Sequence, residues 1–257
     1  MDKPMSSPWD VLKTFTDARV AQGRVGTSLP TRELLAFTQA HAAARDAVHE
    51  AADFAGLRAV LEGMGEEVLD VRSRVPDRAT YLRRPDLGRA LHPESRAALE
   101  GQRPPVAPDI AIVLADGLSA GALAQVPDVL GALLPALRGA GFTLAPLILA
   151  SQARVALGDP VALALGARLV LVLIGERPGL SSPDSLGAYL THDPQPLTPD
   201  SARNCVSNIR PAGLEARVAA WRLFHLISGA LRRGLSGVAL KDESGEPPPD
   251  FAPSALR

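Results

Sequence analysis

The chain has 257 residues and a single cysteine, Cys205. One thiol cannot close a disulfide within the chain, so no covalent staple supports the fold, and a reducing compartment is the simplest setting. Charge of either sign is not in excess: 27 basic residues stand against 28 acidic ones, for a net charge of −1. A nucleic-acid binder would show a basic surplus or a basic stripe, and the charges here are dispersed as on a solvated surface. Long hydrophobic runs are missing as well. The apolar stretches are broken by Gly, Pro, Asp or Arg before about 18 residues, so no membrane-spanning helix is expected. Residues 1–19 mix Asp, Lys, Pro and Ser and lack the apolar centre of a signal peptide. These absences together predict a soluble, cytoplasmic protein.

The familiar chemical motifs are absent too. No G-x-G-x-x-G follows an apolar run, no G-x-x-x-x-G-K-[ST] occurs, and G-x-S-x-G is missing. The five histidines, His41, His49, His92, His192 and His225, are scattered with no second metal ligand at useful spacing. His41 falls on an apolar stripe and His225 in the amphipathic helix at 213–233, which fits satisfied core histidines better than ligands. Cys205 reads first as a small buried hydrophobe. A nucleophilic role would need a base or a positive field; Arg203 and Arg210 could supply the field, but no base is evident.

What is present is enough apolar material, 46% of residues, for a sizeable core. The texture changes along the chain. Residues 1–104 read as a mostly helical, polar region. Within it Pro30 pre-sets a helix start, and Leu34, Phe37, His41, Ala44 and Val48 follow at spacings of three and four, which builds one apolar stripe. Residues 77–86 read as loop. Gln102, Arg103, Pro104 and Pro105 form a linker, since paired prolines resist helix and sheet. Residues 105–241 alternate strand-like and helical runs: strands at 110–115, 143–149, 168–174 and 206–209, helices from 119 to about 138, at 163–167 and at 213–233. This alternation predicts an α/β fold, a Rossmann-like parallel sheet flanked by helices, with an N-terminal helical extension. Residues 242–257, with Pro247, Pro248 and Pro249, read as a loose tail.

Open parallel sheets bind ligands beyond the carboxyl ends of their strands. The segments that follow the expected strands, 116–119, 151–155, 175–182 and the neighbourhood of 203–211, are polar or glycine-rich. They mark a ligand crevice but not its ligand.

Several motifs occur in order. Gly23-Arg24-Val25-Gly26-Thr27-Ser28-Leu29-Pro30-Thr31-Arg32-Glu33-Leu34-Leu35 leads into Asp46-Ala47-Val48. Tyr81-Leu82-Arg83-Arg84-Pro85-Asp86-Leu87-Gly88-Arg89 follows, then Ala115-Asp116-Gly117-Leu118-Ser119, Gly175-Glu176-Arg177-Pro178-Gly179-Leu180 and Asn204-Cys205-Val206-Ser207-Asn208-Ile209. In this order the set resembles the small chain of ethanolamine ammonia-lyase, over roughly residues 20 to 241. That resemblance implies a subunit of an adenosylcobalamin-dependent bacterial enzyme that turns ethanolamine into acetaldehyde and ammonia by a radical route. A large TIM-barrel subunit would carry the substrate and catalysis, so this chain is expected to be inactive alone and to have no catalytic residue of its own. The 105–241 domain would bind cobalamin, with corrin contacts matching Val155, Glu176 and Cys205. Glu176 would accept hydrogen bonds from corrin amides; Val155 and Cys205 would contribute backbone or packing contacts. No D-x-H-x-x-G occurs, so the cobalt would keep its own benzimidazole, base-on. The 1–104 region would bind the large subunit. Only residues 1–22 precede the first motif, which favours free enzyme over packaging in a protein-shelled microcompartment. Two other readings fit the residues: a corrinoid-binding or regulatory module without catalytic output, and a self-sufficient α/β enzyme using Cys205 or Glu176.

Overall fold

In the computed structural model, residues 8–16, 18–249 and 251 are described. The architecture is a six-stranded sheet between two layers of helices. Its centre is β2 (Ile110–Ala115) and β4 (Leu169–Gly175), and every residue of both strands is buried. Their unbroken apolar sequences follow from this, because a strand covered on both faces has no polar side to show. Side chains alternate between two cores. Ile110, Ile112 and Leu114 join Leu169, Leu171 and Leu173 on one face, under α2 (Phe54–Gly63), α6 (Val126–Gly139) and α8 (Ala216–Arg233). Ala111, Val113 and Ala115 join Val170, Val172 and Ile174 on the other, under α5 (Pro93–Gly101) and α7 (Gly158–Leu165).

The remaining strands are β1 (Val68–Arg72), β3 (Leu147–Ser151), β5 (Leu186–His192) and β6 (Asn204–Ile209), in the sheet order β1-β3-β2-β4-β5-β6. The first four of this order run parallel. β5 is antiparallel to β4, and β6 to β5. The sheet is therefore α/β and mostly parallel, as the alternation predicts, but its far edge turns back on itself. The reason is connection length. The loop 176–185 is shorter than the dozen or so residues that a parallel crossover needs, so the chain returns as a hairpin.

Two strands escape the sequence reading. β5 lies in a stretch interrupted by polar residues. β1 comes from the region read as a helical extension, ahead of the linker at 102–105, and pairs with β3 through Val68↔Leu147 to Arg72↔Ser151. With it, Leu57 and Leu61 of α2 and Leu99 of α5 enter the two cores. The sheet thus starts at residue 68 rather than 110. The segment expected as loop at 77–86 holds two short helices, α3 (Arg78–Arg83) and α4 (Pro85–Gly88). The Asp77 side chain accepts a hydrogen bond from the backbone N–H of Thr80 and caps the first, and Pro85 starts the second with a φ already suited to a helix.

The expected helix at 119–138 is a 3₁₀ segment, Ala120–Gln125, followed by α6. Together, Ala120–Gly139 is long and apolar enough to cross a bilayer, against the sequence expectation. Here it is the principal core helix: Val126, Val129, Leu130, Leu133, Leu134 and Leu137 are buried against the sheet and α8. The tail also differs from expectation over its described part. Phe251 is buried and packs edge-on against Trp221 at 4.9 Å, and the carbonyls of Ser244 and Pro248 accept hydrogen bonds from Trp221 and Arg217 of α8. One apolar anchor thus ties this proline-rich segment to the helix. Residues 252–257 of that tail, and 1–7 of the N-terminal region, lie outside the described residues.

α1 (Thr31–His49) carries the anticipated stripe but has no buried residue. Leu34, Leu35 and Phe37 are 55%, 64% and 42% exposed, and His41 is exposed with them, so it is not a core histidine.

Candidate functional site

The antiparallel edge determines where the site lies. On one face of β5 and β6, Leu186, Ala188, Leu190, Val206 and Ile209 are covered by α8. The opposite face carries Gly187, Tyr189, Thr191 and Cys205; Gly187 and Thr191 are buried, Tyr189 is partly buried and Cys205 is exposed, and the hairpin connections supply no crossover helix there. The 3₁₀ turn Val155–Leu157 and α7 lie over the neighbouring parallel strands and reach this edge at Asp159, which holds Arg203 and through it Thr191. Between that layer and the exposed end of the face lies a cleft of about 320 Å³. Val155 and Ala156 form one wall, Tyr189 and Cys205 the floor, and Arg89, Arg154 and Arg203 line it with Pro85 and Asp200.

The three residues singled out from the sequence converge here. Val155 and Cys205 line the cleft directly. Glu176 sits at the carboxyl end of β4 and reaches it through Tyr189, whose hydroxyl donates to Glu176 Oε1 at 2.7 Å. Cys205 pairs with Tyr189 across β5 and β6. Val155 and Tyr189 both pack on the α7-side core. Tyr189, which sequence reasoning did not single out, bonds Glu176, pairs with Cys205 and lines the same cleft as Val155. Its signal was the period-two pattern Leu186, Ala188, Leu190 against Gly187, Tyr189, Thr191. Gly187 matters as well: a Cβ there would collide with the Glu176 carboxylate, so only glycine lets that side chain lie flat over the strand.

The electrostatics favour binding over nucleophilic chemistry. Desolvation pushes the Tyr189 hydroxyl well above the ordinary phenol range, and the bond to Glu176 adds to this, so it stays a proton donor. Cys205 is exposed as a residue, not buried as expected. Desolvation raises its thiol; Tyr189 opposes the rise and the Glu176 charge adds to it. The sulfur is therefore a thiol at neutral pH, a weak nucleophile. Arg203 does not supply the positive field considered for it. It is 3% exposed at its side chain and forms a fork with Asp159, at 2.7 and 2.6 Å, and donates to Thr191 and Thr198. Burial would push Arg203 down, but Asp159 more than reverses this and holds it above its usual value.

The loops beneath the cleft are pinned by Asp116, the first residue after β2. Its carboxylate accepts from the backbone N–H groups of Gln152, Ala153 and Gly117 at 2.9–3.1 Å. Desolvation nevertheless leaves its pKa raised, because burial outweighs those bonds and the nearby Arg78. Gly117 and Gly175 let the 116–119 turn touch the end of β4: a Cβ on either would fall on the other segment's carbonyl groups. The glycine at 175 therefore has a packing reason of its own. Tyr81 is fully buried, donates to the Ala153 carbonyl at 2.9 Å, and lies between the guanidinium groups of Arg78 and Arg154, at 4.6 and 4.2 Å from its ring. This stack sets the position of Arg154 in the cleft wall.

Fold and cleft define a class: an α/β protein with a mostly parallel sheet and a candidate ligand cleft at its antiparallel edge. Comparison with known proteins is more specific. The family model for the ethanolamine ammonia-lyase light chain matches residues 6–241. A protein of Rhodopseudomonas palustris named ethanolamine ammonia-lyase small subunit is 56% identical over 234 residues, covering 91% of this chain and 89% of that one. Small subunits of the same name from Azotobacter vinelandii and Bradyrhizobium diazoefficiens are 50% and 52% identical, each over 93% of this chain and over 89% and 92% of theirs. The chain belongs to the ethanolamine ammonia-lyase light-chain family.

Proposed function

We propose that this chain is the small subunit of an ethanolamine ammonia-lyase and that its cleft holds part of an adenosylcobalamin whose other side is covered by a large catalytic subunit. The observation that carries this reading is the convergence of Val155, Glu176 and Cys205 around Tyr189 at the antiparallel edge of the sheet. The residues suit a large group rimmed with amides. Tyr189 holds Glu176 Oε1, and Oε2 accepts no hydrogen bond among the described residues, so it can take one from a corrin amide. Val155 offers an apolar edge, and Arg154 Nε–H is buried in the wall without an acceptor among the described residues. A cofactor that keeps its own benzimidazole suits polar lining groups that are arginines, a tyrosine, a thiol and a carboxylate. When bound, the cofactor supplies the radical chemistry that converts ethanolamine to acetaldehyde and ammonia. This chain's residues position the corrin and exclude water from one side of it; no proton transfer is assigned to them.

The exposed stripe of α1 supports a large-subunit partner as part of this reading. Leu34, Leu35 and Phe37, with Val25 and Leu29 before them, leave an apolar surface of the kind that marks protein interfaces. The decisive experiment expresses the chain with and without its large subunit and measures ethanolamine deamination with added adenosylcobalamin. Activity only in the pair supports the reading. Turnover by the single chain overturns it.

A further inference from the structure

Beside the cleft lies a second groove of about 490 Å³, which shares Arg89 and Ala156 with it. The sequence assigned it nothing. It is walled by Arg74, Arg89 and Arg96 against a single carboxylate, Asp159. That carboxylate is already neutralised by its fork to Arg203, and Arg96 lies 3.9 Å from Glu100. Arg74 and Arg89 have no side-chain hydrogen bond or ion pair among the described residues. Their proximity is built in by the backbone. The bridge Ser73↔Leu91 and the bond from Arg74 N–H to the Ala90 carbonyl, 2.9 Å, clamp the chain after β1 to the chain after α4. In a protein of net charge −1, two guanidinium groups that line one groove from clamped backbone segments, beside the cleft that Arg89 also lines, form a local positive site. Guanidinium groups recognise phosphate through paired, charge-assisted hydrogen bonds.

We infer that Arg74 and Arg89 form the subsite for the phosphodiester of the cofactor's nucleotide tail. This rests on the reading of the cleft as a cobalamin site and deepens it. A base-on cobalamin carries one formally anionic group apart from its amide rim, the phosphodiester that joins the corrin side chain to the benzimidazole ribotide. The shared wall at Arg89 and Ala156 lets one ligand occupy both spaces, the corrin edge over Tyr189 and the phosphate between the arginines.

The test uses the assembled two-subunit enzyme and two probes, cyanocobalamin and dicyanocobinamide, the second of which has the corrin but no phosphodiester or base. Dissociation constants are measured by equilibrium dialysis for wild type, Arg74→Ala/Arg89→Ala and Glu176→Ala, at low and high salt. The double variant is expected to weaken cyanocobalamin binding by roughly ten- to a hundredfold, to leave cobinamide binding unchanged, and to lose most of the salt dependence. Unchanged cyanocobalamin affinity, or an equal loss for both corrinoids, overturns the phosphate assignment. Dissociation of the large subunit from the double variant, seen by size-exclusion chromatography, also overturns it and marks the groove as a seat for an acidic segment of the partner. Glu176→Ala separates the two levels of the argument. If it weakens both corrinoids while the double variant changes neither, only the phosphate subsite fails. If it changes neither, the cobalamin reading of the cleft itself fails.

Discussion

Arg203 and Asp159 form the most buried ion pair described in the molecule, and cutting it has a calculable result. Their side chains are 3% and 4% exposed, and two of the arginine's nitrogens meet both carboxylate oxygens. Arg203→Met keeps much of the side-chain bulk but strands the Asp159 carboxylate in a site that water barely reaches. Breaking one side of such a pair costs about 3–5 kcal/mol. For a chain of this size, each kcal/mol lowers the melting temperature by about 2–4 °C, so the expected loss is roughly 6–20 °C. Removing both charges together, in Arg203→Met/Asp159→Leu, ends the uncompensated charge and should recover most of that loss. Thermal unfolding followed by circular dichroism at one scan rate reads all three variants. A single variant that loses less than about 1 kcal/mol would put the pair in the class of solvent-screened surface bridges and refute the argument. So would a double variant no more stable than Arg203→Met. The pair also separates the two grooves, since Arg203 lines one and Asp159 the other. The double variant should therefore keep its stability better than its corrinoid affinity.

Further outcomes follow from single contacts. Glu176→Ala should weaken cobalamin binding roughly ten- to a hundredfold with little change in melting temperature, and Glu176→Gln should fall between it and wild type; a collapsed thermal transition would make the residue structural instead. Tyr189→Phe removes the donor to Glu176 Oε1 but keeps the ring, so it should weaken binding less than Glu176→Ala; a larger effect would show that the hydroxyl touches the ligand itself. Hydrogen exchange across residues 31–49 should slow when the large subunit binds, and equal rates in the free and assembled chain would remove α1 from the interface. Asp109 gives a pH signature: desolvation opposes it, yet its bonds from Thr143 and Arg168 hold its pKa below the ordinary 3.8. Its contribution is thus present above that value and lost as pH falls through the lower folded one, so Asp109→Asn should flatten the acid limb of the stability curve, and an unaltered limb would refute the assignment.

The legible parts of this fold are those whose physics is local. β2 and β4 are buried on both faces, so their sequences are continuously apolar and could be read within a residue of their ends. Asp116, Gly175 and Glu176 stand at strand ends, where polar and glycine-rich segments point to a crevice. β1 was illegible because Val68, Leu69 and Val71 are interrupted by Asp70 and Arg72, and its burial follows no clean two-residue period, as Val68 and Val71 enter different cores. No local signal says that such a strand pairs with one nearly 80 residues later; that is a property of the completed sheet. Cys205 was legible as a position and not as an environment. Whether a cysteine that follows an asparagine is buried or exposed depends on which face of β6 it occupies, and the register with Tyr189 sets that. The arginine groove was hidden for the same reason, since the segments that carry Arg74 and Arg89 are brought together by the Ser73↔Leu91 bridge and the bond from Arg74 N–H to the Ala90 carbonyl.

The direction of one strand connects these features. Had β5 joined β4 through a crossover helix, that helix would have lain on one face of the sheet, and a second crossover to β6 would have extended the cover. A ligand would then have been confined to the carboxyl ends of the strands. The short 176–185 loop forces a hairpin instead, and a cleft lined by Val155, Tyr189 and Cys205 remains where the helical layer meets the antiparallel edge. Glu176, at the hinge of that hairpin, can lie back over Gly187 and meet Tyr189 only because β5 runs against β4. The cleft and the apolar stripe of α1 therefore have separate physical origins: the first follows from the direction of β5, the second from a helix that carries Leu34, Leu35 and Phe37 yet buries none of its residues.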